Sequence, residues 1–425
     1  MEASVNRKAI EARQIEKLSR ILKAELPDNA FYRHKLLEKG FSNVDSLADF
    51  RKFPFTTKSE LVEDQATHPP FGTVLTFPPE RYIRIHQTSG TTGKPMYWLD
   101  TEESWQWWAE CWKTIFEAAG ANPGDRIFFA FSFGPFIGFW TGWEGARKLG
   151  ALAISGGGQT TAQRLKAILD YRATVLVCTP TYAVHMASEA SKAGTDLASE
   201  SAIRITIHAG EPGASIPGTK KRIEEAWGAK CYDHPGATEV GAFGFECDAR
   251  SGGVHINETE FIAEVINPET GDSVREGERG ELVMTNLGRH GSPVIRYRTG
   301  DLVRPGTRAC TCGRPFMLLE GGVLGRADDM VIVRGVNVFP SAIENIMREF
   351  SEIEEFRIEA YRKGEMQELK LTLEPKTAVS STQSLEEKVV SRFREQLGLR
   401  PEVETVAPGT LPRFELKARR FFKYP

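Results

Sequence analysis

The chain of 425 residues has no uninterrupted apolar run of the roughly 18 residues that a membrane-spanning helix requires. Its most apolar segment, residues 127–143, is interrupted by serine, glycine and proline. The first 26 residues are charged and helix-like, without the apolar centre of a signal peptide. These absences predict a cytoplasmic protein without a membrane segment.

Neither sign of charge dominates, because 54 Lys and Arg residues stand against 57 Asp and Glu residues, for a formal net charge of −3. Without a basic excess, neither nucleic acid nor a membrane surface is expected as the main partner. The six cysteines are expected to be buried, catalytic or metal-bound rather than paired in disulfides. The sequence also lacks repeats of fixed period and low-complexity tracts.

The length exceeds that at which a single hydrophobic core stops growing, so at least two domains are expected. In the middle of the chain, short apolar segments at 126–131, 151–154 and 174–178 have the composition of strands. The stretches 141–149 and 162–171 between them are helix-like. Strands that alternate with helices predict an α/β fold with a largely parallel sheet.

The pattern changes after this region. Strand-like segments at 261–266, 280–284 and 294–297 are separated by Gly, Pro, Asn and Asp, which predicts an antiparallel or barrel-like β segment over about 257–325. We expect this segment to complete a large N-terminal domain, residues 1–325, built of mixed sheets flanked by helices.

A third pattern begins after Gly325. Apolar segments on either side of Arg334-Gly335 predict a tight hairpin, and Pro340 is placed to begin a helix. Further strand and helix patterns continue to Leu397. We expect a small α+β domain over residues 326–425.

The sequence TSGTTGKP at residues 88–95 follows a strand-like segment and is rich in glycine and hydroxyl groups. Its backbone N–H groups and hydroxyls can surround phosphate oxygens, with Lys94 as a mobile cation. It is not a Walker loop, because that motif has Ser or Thr after the lysine and this chain has Pro95. Taken alone, the segment fits a polar surface loop equally well.

Further segments follow in a particular order, namely AGEPG at 209–213, GATE at 236–239, YRTGD at 297–301, GRADDM at 325–330 and finally Lys417. This ordered set resembles the adenylate-forming superfamily of acyl-CoA synthetases. Within that superfamily, GVNVFPSAIE, FPFTTKSELVED and the short chain resemble the phenylacetate-CoA ligase family.

The resemblance implies an enzyme that uses ATP, Mg²⁺ and coenzyme A to convert a carboxylic acid into acyl-AMP and then into a thioester. The β- and γ-phosphates would be held by Thr88, Ser89, Gly90, Thr91, Thr92, Gly93 and Lys94. Glu239 would coordinate Mg²⁺, Thr238 would touch the α-phosphate, and Asp301 would bind the ribose hydroxyls. The adenine would be lined by Gly210, Glu211 and Pro212. Each carboxylate alone also fits a turn or a helix start, so only the ordered set favours these roles.

By the same resemblance, Lys417 would be catalytic and would reach the acyl-phosphate bridge from a mobile C-terminal domain. Asp328 would be the hinge and Arg326 would lie near the nucleotide. Gly335 would let the pantetheine arm pass close to the backbone. The alternative for Lys417 is a surface lysine in a basic tail.

Two positions depart from the family pattern. Leu416 precedes Lys417 where the family usually has glycine. Pro235 stands where the family has a tyrosine that stacks on adenine. Either another group covers the adenine, or His234 and Pro235 reshape the acyl pocket.

The segment 128–140 is rich in aromatic residues and is interrupted by glycine. The family uses this region to wall the acyl pocket, and aromatic side chains suit offset stacking against a flat ring. The expected substrate-binding residues are Phe131, Phe136, Gly157, Gly236 and Ala237. An aromatic acid such as phenylacetate, benzoate or an amino- or hydroxy-substituted analogue is therefore expected. Most of these side chains also suit an ordinary buried strand.

Four potential metal ligands, Cys247, His255, Cys310 and Cys312, lie in the predicted β-rich region. Three thiolates and one imidazole would complete a tetrahedral structural zinc site. The C-x-C spacing is less diagnostic than paired C-x-x-C motifs, but relatives in the phenylacetate-CoA ligase family carry a similar loop. The alternative is a pair of unliganded cysteines on a surface loop.

The resemblance leaves the acceptor of the acyl group open. Coenzyme A is the expected acceptor, and a carrier-protein phosphopantetheine or an amine is the alternative. A non-catalytic nucleotide-binding protein on the same scaffold is disfavoured because Lys94, Glu239, Asp301 and Lys417 are all present. The family often forms dimers, so the resemblance leaves a homodimer open, and the sequence alone does not determine the oligomeric state.

Overall fold

The computed structural model describes residues 6–88, 95–134, 137–327, 330–334, 336–363, 366–376, 381–414 and 418–424. Several predicted site residues lie outside these ranges, namely Ser89, Gly90, Thr91, Thr92, Gly93, Lys94, Phe136, Asp328, Gly335 and Lys417. Within the described ranges, no helix has the length and apolar character needed to cross a membrane.

Twelve α-helices occur in the described part of the chain. They are α1 (Arg7–Arg20), α2 (Ala30–Lys35), α3 (Leu47–Phe50), α4 (Lys58–Thr67), α5 (Glu102–Ala118), α6 (Trp140–Leu149), α7 (Thr161–Asp170), α8 (Pro180–Lys192), α9 (Leu197–Glu200), α10 (Pro217–Trp227), α11 (Pro340–Arg348) and α12 (Thr382–Leu397). A π-helical turn at Ile21–Glu25 extends the first helix.

The first strands of the described chain are β1 (Tyr82–Gln87), β2 (Tyr97–Thr101), β3 (Arg126–Phe129), β4 (Leu152–Ser155), β5 (Val175–Cys178), β6 (Ile205–His208), β7 (Lys230–Asp233), β8 (Gly244–Glu246), β9 (Gly253–Ile256) and β10 (Phe261–Ile266). They are followed by β11 (Gly280–Asn286), β12 (Tyr297–Val303), β13 (Leu318–Glu320), β14 (Gly325–Arg326), β15 (Val331–Val333), β16 (Val336–Val338), β17 (Ile353–Lys363), β18 (Met366–Pro375), β19 (Glu402–Thr405) and β20 (Phe421–Lys423).

A parallel five-stranded sheet in the order β4-β3-β5-β6-β7 forms the centre of the α/β region, as its strand and helix pattern predicts. Its inner strands β5 and β6 are buried along their whole length, and side chains that alternate along the inner strands enter two different hydrophobic cores. Ile127, Phe129 and Val177 belong to one core, whereas Phe128 and Leu176 belong to the other. The carboxyl ends of these strands meet at one edge, where ligands bind in open α/β sheets.

The β-rich region forms a four-stranded antiparallel sheet, β10-β11-β12-β14, and a three-stranded sheet, β13-β9-β8. The predicted strand at 294–297 is wrong, because the strand begins only at Tyr297. Arg296 has a positive φ of 45°, which interrupts an extended backbone. Its guanidinium instead bonds Glu264 at 2.9 and 2.8 Å and the carbonyl of Arg51 at 2.6 Å.

The last part of the chain has a separate hydrophobic core. The hairpin β15-β16 is present, and the sheet β19-β18-β17-β20 packs with α11 and α12. The buried members of this core run from Val331 to Leu399, and the other two buried cores contain no residue beyond Leu319. A hydrophobic core of its own is what a small C-terminal domain would need.

Candidate active site

The predicted phosphate loop is closed at its base by two hydrogen bonds. The N–H of Thr88 donates to the carbonyl of Met96 at 2.9 Å, and the N–H of Met96 donates to the Thr88 hydroxyl at 3.0 Å. These bonds continue the antiparallel pairing of β1 with β2. Residues 89–94 lie outside the described part of the chain, but both ends of the segment are held at one place.

Glu239 is a buried carboxylate with few protein partners. It lies within a tight turn in which the N–H of Ala237 donates to the carbonyl of Gly241 at 3.2 Å. Its Oε1 accepts from the Tyr297 hydroxyl at 3.4 Å and lies 3.9 Å from the Lys58 ammonium. Burial and the Glu239 charge raise the pKa of Tyr297, so the phenol remains a donor. Both contacts are long, which leaves the carboxylate with unused acceptor capacity.

Arg289 holds the Thr238–Glu239 segment in place. Its Nε and Nη2 donate to the two carboxylate oxygens of Asp100 at 2.7 and 2.8 Å. Its Nη1 donates to the carbonyls of Thr238 at 2.6 Å and Glu239 at 3.1 Å. Both members of this ion pair are completely buried. The segment that carries the candidate Mg²⁺ ligand is therefore joined directly to the strand that leaves the phosphate loop.

Asp301 and Arg326 are brought together by strand pairing. They are opposite each other in β12 and β14. The Arg326 Nη1 lies 3.4 Å from the Asp301 Oδ1 and donates to the carbonyl of Thr299 at 3.2 Å. A Cβ at Gly300 would lie 2.8 Å from the Arg326 Nη2, so only glycine allows the guanidinium to cross the backbone here.

Glu211 does not direct its carboxylate towards an open space. Its Oε1 accepts from the N–H of Thr181 at 3.0 Å, and its Oε2 accepts from the N–H of Ala418 at 2.6 Å. Gly210 before it has a φ of 96°, which favours glycine. The backbone of this loop, rather than the Glu211 side chain, is left to line a nucleotide base.

Asp233 is a site residue that the sequence motifs do not single out. It ends β7 beside His208 at the end of β6. Burial, with a further contribution from the Glu246 charge, raises the pKa of Asp233 to about 7. A Cβ at Gly322 would lie 3.0 Å from the Asp233 Oδ2 and 3.2 Å from Cβ of Ser215. Asp233 thus faces the loop that carries Glu211 at the carboxyl edge of the sheet.

The predicted acyl pocket wall is assembled from two segments. The ring of Phe131 lies 5.6 Å from Phe133 and 5.1 Å from Phe139, both edge-on. A Cβ at Gly157 would lie 3.4 Å from the Phe133 ring and 3.5 Å from the Phe131 carbonyl. The structure therefore brings Phe131 and Gly157 together, with Phe131 and Phe139 buried and Phe133 half-buried.

His234 adds a polar group to this wall. Its Nδ1 lies 2.7 Å from the carbonyl of Gly244, so this nitrogen carries the proton. Burial lowers the pKa of His234 to about 4, which keeps the ring neutral and its Nε2 an acceptor. The ring lies 4.4 Å from Trp112, edge to face. A Cβ at Gly236 would lie 3.3 Å from the Nε2, which places this acceptor beside a predicted substrate-binding residue.

The four predicted metal ligands form one cluster. The ligand atoms of Cys247, His255, Cys310 and Cys312 all lie within 4.8 Å of one another. The Cys247 Sγ lies 3.5 Å from the His255 Nε2 and 3.6 Å from the Cys310 Sγ. The Cys312 Sγ lies 3.4 Å from the same His255 nitrogen. The C-x-C loop is thus folded onto β9 and the end of β8.

Two family models match the chain. The model for AMP-binding enzymes matches residues 21–288, and the model for the C-terminal domain of AMP-binding enzymes matches residues 335–424. The phenylacetate-coenzyme A ligase of Escherichia coli is 34% identical over 97% of this chain and 94% of its own. The phenylacetate-coenzyme A ligase of Thermus thermophilus is 32% identical over 96% of this chain and 95% of its own.

A solved structure of 2-hydroxyisobutyryl-CoA ligase, in the postadenylation state with R3-HIB-AMP, superimposes with a TM-score of 0.93. Its sequence is 31% identical, and the match covers 99% of this chain and 91% of that one. A structure of the same ligase in the thioesterification state, with 2-HIB-AMP and CoA, superimposes with a TM-score of 0.74. Its sequence is 32% identical, and the match again covers 99% of this chain and 91% of that one. The arrangement of this chain is therefore closer to the postadenylation state.

The fold and the cleft are those of an adenylate-forming ligase. The chain belongs to the AMP-binding enzyme family, and its curated relatives of 30–34% identity over nearly the whole chain are phenylacetate-CoA ligases. It is an ATP-dependent acid–thiol ligase of that family.

Replacing Arg289 by lysine should impair catalysis more than folding. An ammonium can stay near Asp100 but cannot also bond both backbone carbonyls, so the Glu239 segment loses its anchor. We expect ATP–pyrophosphate exchange to fall at least about tenfold, in line with hydrogen bonds to charged groups. The matched control is Arg296→Lys, since Arg296 makes equivalent bonds to Glu264 and to backbone carbonyls. The anchoring role would be contradicted if Arg289→Lys and Arg296→Lys had the same stability to urea and lost the same amount of exchange activity.

Proposed function

We propose that this ligase activates an aromatic carboxylic acid of the phenylacetate or benzoate type as its acyl-AMP and transfers the acyl group to coenzyme A. The observation that carries the proposal is the aromatic cluster of Phe131, Phe133 and Phe139 beside Gly157. Trp112 connects this cluster to His234, five residues before Glu239. Aromatic side chains accept a flat ring by edge-to-face or offset contact. The names of the relatives support the same class of acid.

The first half-reaction joins the acid carboxylate to the α-phosphorus of ATP and expels pyrophosphate. Charge on the phosphates makes positioning and electrostatic stabilisation the main contributions of the protein. Glu239 is suited to hold Mg²⁺, because its buried carboxylate has only the long contacts to Tyr297 and Lys58. The ion would neutralise phosphate charge, while Thr238 touches the α-phosphate and the 88–94 segment holds the β- and γ-phosphates.

The nucleoside is bound by groups on both sides of the cleft. Asp301 accepts hydrogen bonds from the ribose hydroxyls, with Arg326 beside it. Backbone groups of Gly210, Glu211 and Pro212 line the adenine. We add Asp233, whose buried carboxylate is suited to accept from the exocyclic amino group of adenine.

The C-terminal residues 326–425 act as a mobile domain, with Asp328 as the hinge. Lys417 supplies a positive charge to the acyl-phosphate bridge during adenylation. The hydrogen bond from the N–H of the adjacent Ala418 to Glu211 supports this role. Gly335 would let the pantetheine arm of coenzyme A pass close to the backbone in the second half-reaction.

Substitution of Lys417 by alanine should abolish acyl-AMP formation but leave thioester formation from synthetic acyl-AMP largely intact. The lysine charge is needed only while pyrophosphate leaves. ATP–pyrophosphate exchange across aromatic and short aliphatic acids measures the first step, and the thioester yield from coenzyme A measures the second. Lys423→Ala is the matched control in the same basic tail. Equal loss in both steps would exclude this role, and no exchange with any acid in the unaltered enzyme would exclude the function.

The same assay separates the possible acceptors. With coenzyme A, a carrier protein bearing phosphopantetheine and a free amine offered in turn, we expect product only from coenzyme A.

The acid should carry a hydrogen-bond donor that pairs with His234. A buried acceptor left unpaired by the substrate costs transition-state stability, so an amino- or hydroxy-substituted acid should exceed the unsubstituted one in kcat/KM. In His234→Phe, the preference should fall at least about tenfold. The ratio of kcat/KM for the two acids is its own control, because general damage lowers both. An unchanged ratio would remove His234 from the acyl pocket.

The cysteine and histidine cluster is a structural zinc site in this proposal. Zinc–sulfur bonds of about 2.3 Å place two tetrahedral ligand sulfurs about 3.8 Å apart. The Cys247 and Cys310 sulfurs are 3.6 Å apart. Three cysteines and one histidine fill four positions and leave none for substrate, so the metal would hold the 310–312 loop on β9 rather than act in catalysis.

Protein purified without added zinc should contain about one zinc ion per chain by elemental analysis. Cys310→Ser should lower the zinc content and the unfolding temperature together, because a ligand to a folding metal is lost. Cys111→Ser, at a buried cysteine in α5 away from the cluster, should leave the zinc content unchanged. Protein without stoichiometric zinc would contradict the site.

A further inference from the structure

The carboxylate of Glu211 connects two distant parts of the chain. Its two oxygens accept from two different backbone N–H groups, those of Thr181 and Ala418. Thr181 is in the first turn of α8, where a negative charge is favourable because the N–H groups there lack helical partners. Ala418 belongs to the C-terminal part of the chain. Each oxygen of Glu211 thus serves one side of the contact between the two parts.

The segment around Ala418 is held to α8 by a second side chain. Arg420 is buried and donates to both carboxylate oxygens of Glu355 at 2.6 and 3.0 Å. Its Nη1 donates to the Thr181 hydroxyl at 3.2 Å. Arg420 therefore contacts the first turn of α8 directly. Ala418 is connected to the same turn through the carboxylate of Glu211.

These contacts belong to one arrangement of the chain. The structure resembles the postadenylation state of 2-hydroxyisobutyryl-CoA ligase more closely than its thioesterification state, with TM-scores of 0.93 and 0.74 at equal coverage. A different placement of the C-terminal residues relative to α8 would separate Ala418 from Glu211. The bond to Glu211 therefore depends on an arrangement in which the residues around Ala418 lie against α8.

We propose that Glu211 is a positioning residue for the adenylation half-reaction: its carboxylate fixes the backbone at Ala418 and so sets where Lys417, one residue earlier, can reach. The proposal rests on the function proposed above for Lys417. It gives the Glu211 side chain a role distinct from lining the adenine, which is left to the backbone of its loop.

Two features of the contact require glutamate. Two N–H donors approach the two oxygens, so a glutamine would offer one acceptor and turn its own N–H₂ towards the other donor. An aspartate keeps the charge but is one methylene shorter and cannot reach both donors. Hydrogen bonds to a charged group of limited exposure are among the stronger ones.

Glu211→Gln should therefore lower ATP–pyrophosphate exchange by about ten- to a hundredfold, the range for losing a hydrogen bond to a charged group. The assay uses phenylacetate or the acid that gives the fastest exchange in the unaltered enzyme. Thioester formation from the synthetic acyl-AMP and coenzyme A should stay within about twofold, because that step does not use the Ala418 contact. Glu211→Asp should show the same selective loss.

The matched control is Glu354→Gln. Glu354 accepts from the Ser188 hydroxyl at 2.7 Å and lies 3.5 Å from Arg222, so it joins the same two parts of the chain away from Ala418. It should reduce exchange far less than Glu211→Gln. Equal losses at the two positions, a loss in both half-reactions of Glu211→Gln, or no loss would each overturn the proposal.

Failure of the proposed function gives a different result, namely no exchange with any acid in the unaltered enzyme. In that case a bifunctional thiol reagent can join cysteines placed at Ser188 and Glu354, which are in contact here. Glu211→Gln should lower the cross-linking yield at least about threefold if it weakens the contact by a typical net hydrogen bond. An unchanged yield would overturn the proposal.

Discussion

The buried ion pair between Arg289 and Asp100 is the interaction on which the site depends. A surface pair of the same kind contributes little, but a completely buried pair must satisfy every donor and acceptor to be tolerated. Arg289 uses all three of its nitrogens: two bond Asp100, and the third bonds the carbonyls of residues 238 and 239. Trp98 and Trp108 lie against its guanidinium at 5.1 and 4.5 Å and exclude water. The strand leaving the phosphate loop and the segment bearing Glu239 consequently cannot move independently.

The carboxylates around the cleft are distinguished by their partners rather than by their sequence motifs. Glu239 has two long contacts and keeps acceptor capacity for a cation. Glu211 uses both oxygens on backbone N–H groups, so it acts on the protein itself. Asp233 has a pKa of about 7 because it is buried near another acid, which favours a hydrogen-bonding role over a purely electrostatic one. Three acidic side chains in one region thereby have three different tasks.

Local patterns were sufficient for much of the fold and for the cluster of three cysteines and one histidine. The strand β1, the parallel sheet and the hairpin β15-β16 follow from short-range periodicity and turn residues, and the Cys/His set from residue type. The segment 294–296 was predicted wrongly, because the buried contacts of Arg296 override strand propensity there. Arg289 and Asp100 are 189 residues apart and belong to no motif, so no local signal could pair them. The side-chain role of Glu211 likewise depends on Ala418, 207 residues later.

The character of the contacts between the C-terminal residues and α8 suits two half-reactions in one cleft. The C-terminal part has a complete core of its own, so its stability does not require burial against the rest of the chain. The described bonds that join the two parts at α8 are polar: Glu211 with Ala418, Arg420 with Thr181, and Ser188 with Glu354. Such groups can exchange protein partners for water at a small net cost, whereas an apolar interface would have to expose its area on opening. On the function proposed above, the charge-assisted bond at Ala418 would stabilise the adenylating arrangement, and its modest net strength would let the C-terminal residues move once pyrophosphate has left.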